Sequence, residues 1–169
     1  MINLFVIILL PLVLSNSIHM GIVKMNYLSF LSIPLSIRLF GINKTWRGFV
    51  LVPVINSVLC WLICLLINYE MPVNTLLTGF ILGVIYMLFE LPNSFLKRRF
   101  GIGSGEKANG TKSLFVILDK TDSAFGVSLI SYFLFNLSFY NFIILFLISV
   151  FIHTSFSYLL VLIGVKRSF

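Results

Sequence analysis

Apolar residues fall along this chain in five blocks, each close to the ~20 residues that a helix needs to cross a bilayer. The first block is 2–23, interrupted by Pro11, Asn16 and His19. A cleaved signal peptide would also be apolar, but no basic region precedes this block, so it is read as a retained helix. Residues 24–48 are mixed. Within them, 27–39 is apolar but split by Pro34 and too short to span, which suits a re-entrant or interfacial piece. The second and third blocks, 49–69 and 75–95, are joined by the short turn Asn68-Tyr69-Glu70-Met71-Pro72 and should stand antiparallel. A polar stretch, 97–122, precedes the fourth block at 123–139. A break at Tyr140-Asn141 leads to the fifth, 142–165, and a tail with Lys166 and Arg167. The expected fold is all-α: one integral membrane domain over 1–169 with about five transmembrane helices and inner loops at 24–48 and 97–122.

Composition agrees. Of 169 residues, 59% are hydrophobic and only 10% charged, against roughly 25% charged in an average soluble domain. Cys60 and Cys64, one helical turn apart in an apolar run, read as packing residues rather than a disulfide or metal pair. The net charge of +7 is explained by its distribution. Four basic residues lie in 24–47, six in 97–120 and two in the tail, which accounts for all twelve; the N-terminus and the two alternate turns have none. Five alternating spans put every Lys and Arg on one side, which the positive-inside rule makes cytoplasmic, with the N-terminus outside and the C-terminus inside. A nucleic-acid partner is not needed.

Acidic residues are few. Glu70 sits in an outer turn and Glu106 beside Lys107; both read as solvated. Glu90 lies inside the third apolar block, where an ionisable group needs a partner; Lys44 and Arg47 are the candidates. Pro92, two residues on, frees the Leu88 carbonyl, so a helix broken beside a polar cavity is expected. Asp119 and Asp122 stand one turn apart at the expected start of the fourth helix. That placement leaves two readings open: N-terminal capping, or Mg²⁺ binding with substrate phosphates. Lys44, Arg47 and Lys97-Arg98-Arg99 could be topogenic charge or a phosphate clamp. Together, carboxylates for a metal and cations for polyphosphate at one face are what phosphoryl or nucleotidyl transfer requires. His19 is assigned to the outer half of the first helix and His153 to the fifth, both with structural roles.

Lys44-Thr45-Trp46-Arg47-Gly48, then Ser94-Phe95-Leu96-Lys97-Arg98-Arg99, then the Asp119/Asp122 pair resemble the CDP-archaeol synthase family, related to the bacterial CDP-diacylglycerol synthases. A weaker echo follows in His153, Tyr158 and Gly164-Val165-Lys166. The resemblance implies a membrane cytidylyltransferase of phospholipid biosynthesis, multi-pass in the cell membrane, with its active site facing the cytoplasm. It would use CTP, a membrane lipid phosphate and Mg²⁺, with homodimerisation left open. It implies Lys97, Asp119 and Asp122 as catalytic residues and Lys44, Thr45, Arg47, Ser94 and Arg98 as substrate-binding. Asp119 and Asp122, with Glu90, would bind the metal. The family's Gly-Asp before the serine is Phe89-Glu90 here, the acid often found next to the serine is Asn93, and the approach to the aspartates is Asn109-Gly110-Thr111-Lys112. The competing reading is a non-catalytic lipid-binding partner protein or small transporter derived from that family.

Overall fold

A computed structural model describes residues 1–103 and 113–164. Among the described residues, six α-helices follow one another: α1 (Ile2–Lys24), α2 (Ile37–Phe40), α3 (Trp46–Leu66), α4 (Thr75–Arg99), α5 (Ser113–Leu134) and α6 (Phe139–Leu162). Five of them are 21–25 residues long, or roughly 32–38 Å at 1.5 Å per residue. By length and composition, α1, α3, α4 and α6 can each cross a membrane. The fifth long helix, α5, is of the same length but carries Asp119, Lys120 and Asp122. Large apolar side chains such as Leu10, Val54, Trp61, Phe80, Leu147 and Phe151 are exposed; on a membrane-embedded bundle they face lipid.

Each long helix packs on the next, and α6 returns to touch α1. Because the turns 67–74 and 135–138 are short, the helices alternate in direction. The C-terminal ends of α1, α4 and α6 therefore gather with the N-terminal ends of α3 and α5. In the middle of the bundle, Leu4, Ile8 and Leu12 of α1 meet Val52, Leu82, Val127 and Leu145, forming an apolar floor beneath that end.

The tightest seam is α3 against α4. Asn56 donates from Nδ2 to the Gly79 carbonyl at 2.6 Å and Ser57 donates from Oγ to the Leu76 carbonyl at 2.7 Å. Gly79 and Gly83 form the small-xxx-small spacing that lets membrane helices approach closely. A Cβ at Gly83 would stand 2.6 Å from Pro53 Cα.

Several boundaries differ from those expected. α4 runs unbroken through Pro92 to Arg99, because one missing backbone bond does not stop a helix whose neighbours hold it on both sides. α5 begins ten residues before the expected 123: the short apolar run 114–118 is masked in a hydropathy profile by the polar residues on either side of it. Asp119 and Asp122 are thus inside α5, not at its start, and the capping reading falls. The α5–α6 break lies at 135–138, where Asn136 is left-handed (φ +46°) and Ser138 caps α6 by accepting the Asn141 N–H, rather than at Tyr140-Asn141.

Gly83→Ala should destabilise the bundle by about 1–3 kcal/mol, because the added methyl meets backbone that cannot turn aside. Thermal unfolding of the purified protein in detergent checks this.

Candidate active site

The gathered helix ends enclose a cavity of about 1550 Å³. Its α4 wall follows from spacing alone: Tyr86, Glu90, Ser94 and Lys97 recur at three and four residues and share one face, with Asn93 at the edge of that face. Opposite, α5 contributes Asp119, Lys120, Asp122 and Ser123, and α6 contributes Ser149, His153 and Ser157. The remaining wall is α1 with the segment that leads into α3.

That segment is held in place by backbone bonds. The Leu35 N–H donates to the Lys44 carbonyl at 2.8 Å and the Trp46 N–H to the Ile33 carbonyl at 3.0 Å, flanking the isolated antiparallel bridge between Pro34 and Thr45. Thr45 is extended at the N-cap position of α3 without a side-chain cap bond. Arg47 is buried and donates from Nη1 to the Tyr27 carbonyl at 3.0 Å. Asn26 and Leu28, both left-handed (φ +56° and +53°), turn the chain so that this carbonyl is presented.

Charges meet across the cavity in pairs. Lys44 Nζ bonds Glu90 Oε2, and Lys97 Nζ bonds Asp119 Oδ2. Asn93 adds a 2.6 Å bond from Nδ2 to Asp119 Oδ1. Burial acts to depress the Lys44 pKa, but attraction and a hydrogen bond to Glu90, with Asp122 and Asp119 beyond, outweigh it and hold the ammonium above its ordinary 10.5. Asp122 accepts the Ser123 N–H at 2.6 Å. On the α5–α6 side, Lys120 is buried and donates to Ser157 Oγ at 2.7 Å. Tyr86 Oη lies 3.3 Å from His153 Nε2.

All nine residues singled out from the sequence line this one cavity: Lys44, Thr45, Arg47, Glu90, Ser94, Lys97, Arg98, Asp119 and Asp122. Lys44, rather than Arg47, is the partner of Glu90. Ser94 bonds within its own helix, donating to the Glu90 carbonyl at 2.9 Å. Glu106 and the 109–112 approach lie outside the described residues, as do Val165 and Lys166.

Sequence reasoning misses Tyr86, although its spacing from Glu90 carries the signal, and it notes Asn93 only as a replacement for the family's acid, without its bond to Asp119. Lys120, counted there as an inner-loop charge, is a buried wall residue. The assignment of His19 to the outer half of its helix is corrected. Only five residues separate it from Lys24, so it lies in the last turns of α1 and faces the cavity.

Among the described residues, six cationic side chains line the cavity (Lys24, Lys44, Arg47, Lys97, Arg98 and Lys120) against three carboxylates. The excess positive charge suits a polyanion, and the volume exceeds the roughly 300–1,000 Å³ usual for one small ligand. For a metal, the carboxylate oxygens of Asp119 and Asp122 fit a hard cation such as Mg²⁺, which takes one or two carboxylates and completes its shell with water and phosphate. Among the described residues, no three His, Cys, Asp or Glu converge as a ready-made metal cage.

The fold and cavity together define a helical membrane protein with a cation-rich polar cavity at one end of its bundle. Residues 32–169 match the family model described as CarS-like, CDP-archaeol synthase. The chain belongs to the CDP-archaeol synthase family, which implies nucleotidyl transfer in membrane-lipid synthesis as the general activity. No curated protein and no solved structure matches it.

Lys44→Met and Glu90→Gln should each destabilise the protein, whereas the double variant should recover about 0.5–3 kcal/mol relative to the sum of the two. Denaturant unfolding of the four proteins in micelles measures this coupling. Because Lys44 titrates higher when folded than unfolded, its contribution is complete at neutral pH. It should fade as pH rises through the elevated folded value, above 10.5.

Proposed function

We propose that the protein is a CTP-dependent cytidylyltransferase that converts a phosphatidic-acid-like membrane lipid, ester- or ether-linked, to its CDP-activated form. The observation that carries this reading is the single cavity in which Lys44, Arg47, Lys97 and Arg98 face Asp119 and Asp122, in a chain of this family.

A phosphate oxygen of the lipid attacks the α-phosphorus of CTP. The new P–O bond joins the two phosphates as the bond to the β-phosphate's bridging oxygen breaks, and pyrophosphate leaves with that electron pair. Lys44 and Arg47, fixed at the start of α3, bind phosphate oxygens from one side; Lys97 and Arg98, at the end of α4, bind them from the other. Asp119 and Asp122 would hold Mg²⁺, which when bound neutralises charge on the triphosphate and the departing pyrophosphate. Asn93 fixes the rotamer of Asp119 through its 2.6 Å bond. Glu90 balances Lys44 while the cavity holds no polyanion, so the clamp need not stand as uncompensated charge in a poorly solvated site.

The distribution of Lys and Arg supports an orientation in which this end of the bundle faces the cytoplasm, where CTP is found. The same end then lies at headgroup depth, so a lipid phosphate reaches the cavity while its chains stay in the bilayer.

Purified protein in detergent, given labelled CTP, Mg²⁺ and phosphatidic acid or an ether analogue, should release pyrophosphate only when lipid is present. Chelation should abolish the release. Asp122→Asn should lower the rate by about 10²–10³-fold with normal membrane insertion. If no lipid phosphate supports release while a control synthase works, the proposal is rejected. If Asp122→Asn retains full function, the non-catalytic alternative is favoured.

A further inference from the structure

We infer that His19 is a further substrate-contacting residue, with its Nε2 meeting a phosphate oxygen held beside Lys44 and Arg47. This inference rests on the phosphate-transfer reading above and adds a residue from α1, an element that lies before the matched region 32–169.

The imidazole is placed for this. His19 lines the cavity, and the charged groups acting on it are Glu90, Arg47 and Lys44. Its ring lies against Gly48 in the first turn of α3 and lines the cavity together with Lys44, Arg47 and Glu90. Nε2 is buried and has no hydrogen-bond partner among the described residues. A buried ring nitrogen without a partner carries a desolvation cost, and a fold that keeps one at the wall of a cationic cavity presents it to whatever enters. His153 shows the contrast: its Nε2 faces Tyr86 Oη at 3.3 Å.

The sequence also makes room for the ring. A Cβ at Gly48 would lie 3.3 Å from His19 Cε1, 3.5 Å from its Nε2 and 2.8 Å from Met87 Cε. The glycine that closes Lys44-Thr45-Trp46-Arg47-Gly48 therefore lets the imidazole lie against the first turn of α3, one residue from Arg47. As a neutral ring or as a cation, imidazole can donate one hydrogen bond from Nε2. An anionic phosphate oxygen between Lys44 and Arg47 is an acceptor for it. Such an oxygen belongs either to the lipid phosphate or to the triphosphate, and binding distinguishes the two.

Binding of pyrophosphate, of CTP with Mg²⁺ and of a short-chain phosphatidic acid is measured separately by titration on the full-length protein in detergent. The proteins compared are wild type, His19→Ala, His19→Phe and His19→Gln. His19→Phe keeps a ring and loses the nitrogen; His19→Gln keeps a polar N–H at similar reach. The expected result is a loss of about 10- to 100-fold for at least one ligand in the Ala and Phe variants, with Gln closer to wild type. A loss confined to phosphatidic acid assigns the contact to the lipid phosphate; a loss confined to pyrophosphate and CTP assigns it to the nucleotide. Should Ala fail to fold, the Phe and Gln pair decides. Unchanged affinities in a folded Phe variant overturn the role of His19 while leaving the cytidylyltransferase reading intact. A wild-type protein that binds none of the three overturns both.

Discussion

Charge held at the end of an apolar bundle must be balanced by opposite charge within reach, and that requirement organises this molecule. Lys44 and Glu90 tie the segment before α3 to α4, and Lys97 and Asp119 tie α4 to α5. Each pair joins residues from different elements, so the walls of the cavity are set by electrostatic neutralisation as much as by apolar packing. The packing lies deeper, in the floor formed by Ile8, Leu82, Val127 and Leu145, and the charges lie above it. Removing either Lys44 or Glu90, both largely buried, leaves the other in poorly solvated surroundings; the Lys97–Asp119 pair is more exposed and costs less to break.

The two ion pairs are specific: Glu90 takes Lys44 and Asp119 takes Lys97. On the proposed reading, a triphosphate would compete with Glu90 for Lys44 and with Asp119 for Lys97, while Asn93 still holds Asp119 in place. Asn93 matters here because it is neutral. It keeps Asp119 oriented by a hydrogen bond without adding a fourth carboxylate beside Glu90, Asp119 and Asp122.

Much of the fold was legible from the sequence because lipid imposes a simple rule: long apolar runs become helices. α1, α3 and α4 appear within a few residues of their expected starts. α5 was less legible because its first three turns carry polar residues on the cavity face, and hydropathy alone cannot separate a loop from a helix lining a polar pocket. Asp119, Asp122 and Lys120 therefore read as loop or helix-start charges. The site was legible where ionisable groups stood out against an apolar background, as Glu90 did. It was less legible where uncharged polar residues took part: Tyr86 gives no such contrast and only its spacing along α4 reveals it, while Asn93 stands out only as the family acid's replacement, which does not reveal its bond to Asp119.

The case of His19 separates two kinds of sequence evidence. Sidedness alone, with Lys24 five residues away, assigns His19 to the inner half of α1; composition alone assigns an isolated histidine in an apolar run to packing. The geometry favours sidedness, since the imidazole lines the same cavity as Glu90, Arg47 and Lys44 in the space that Gly48 leaves open. A glycine that follows a Lys and an Arg in one motif is then more than a helix residue without a side chain. Its missing Cβ leaves room for a ring from a different helix beside Lys44 and Arg47, so the motif's last position shapes the cavity through an atom it lacks.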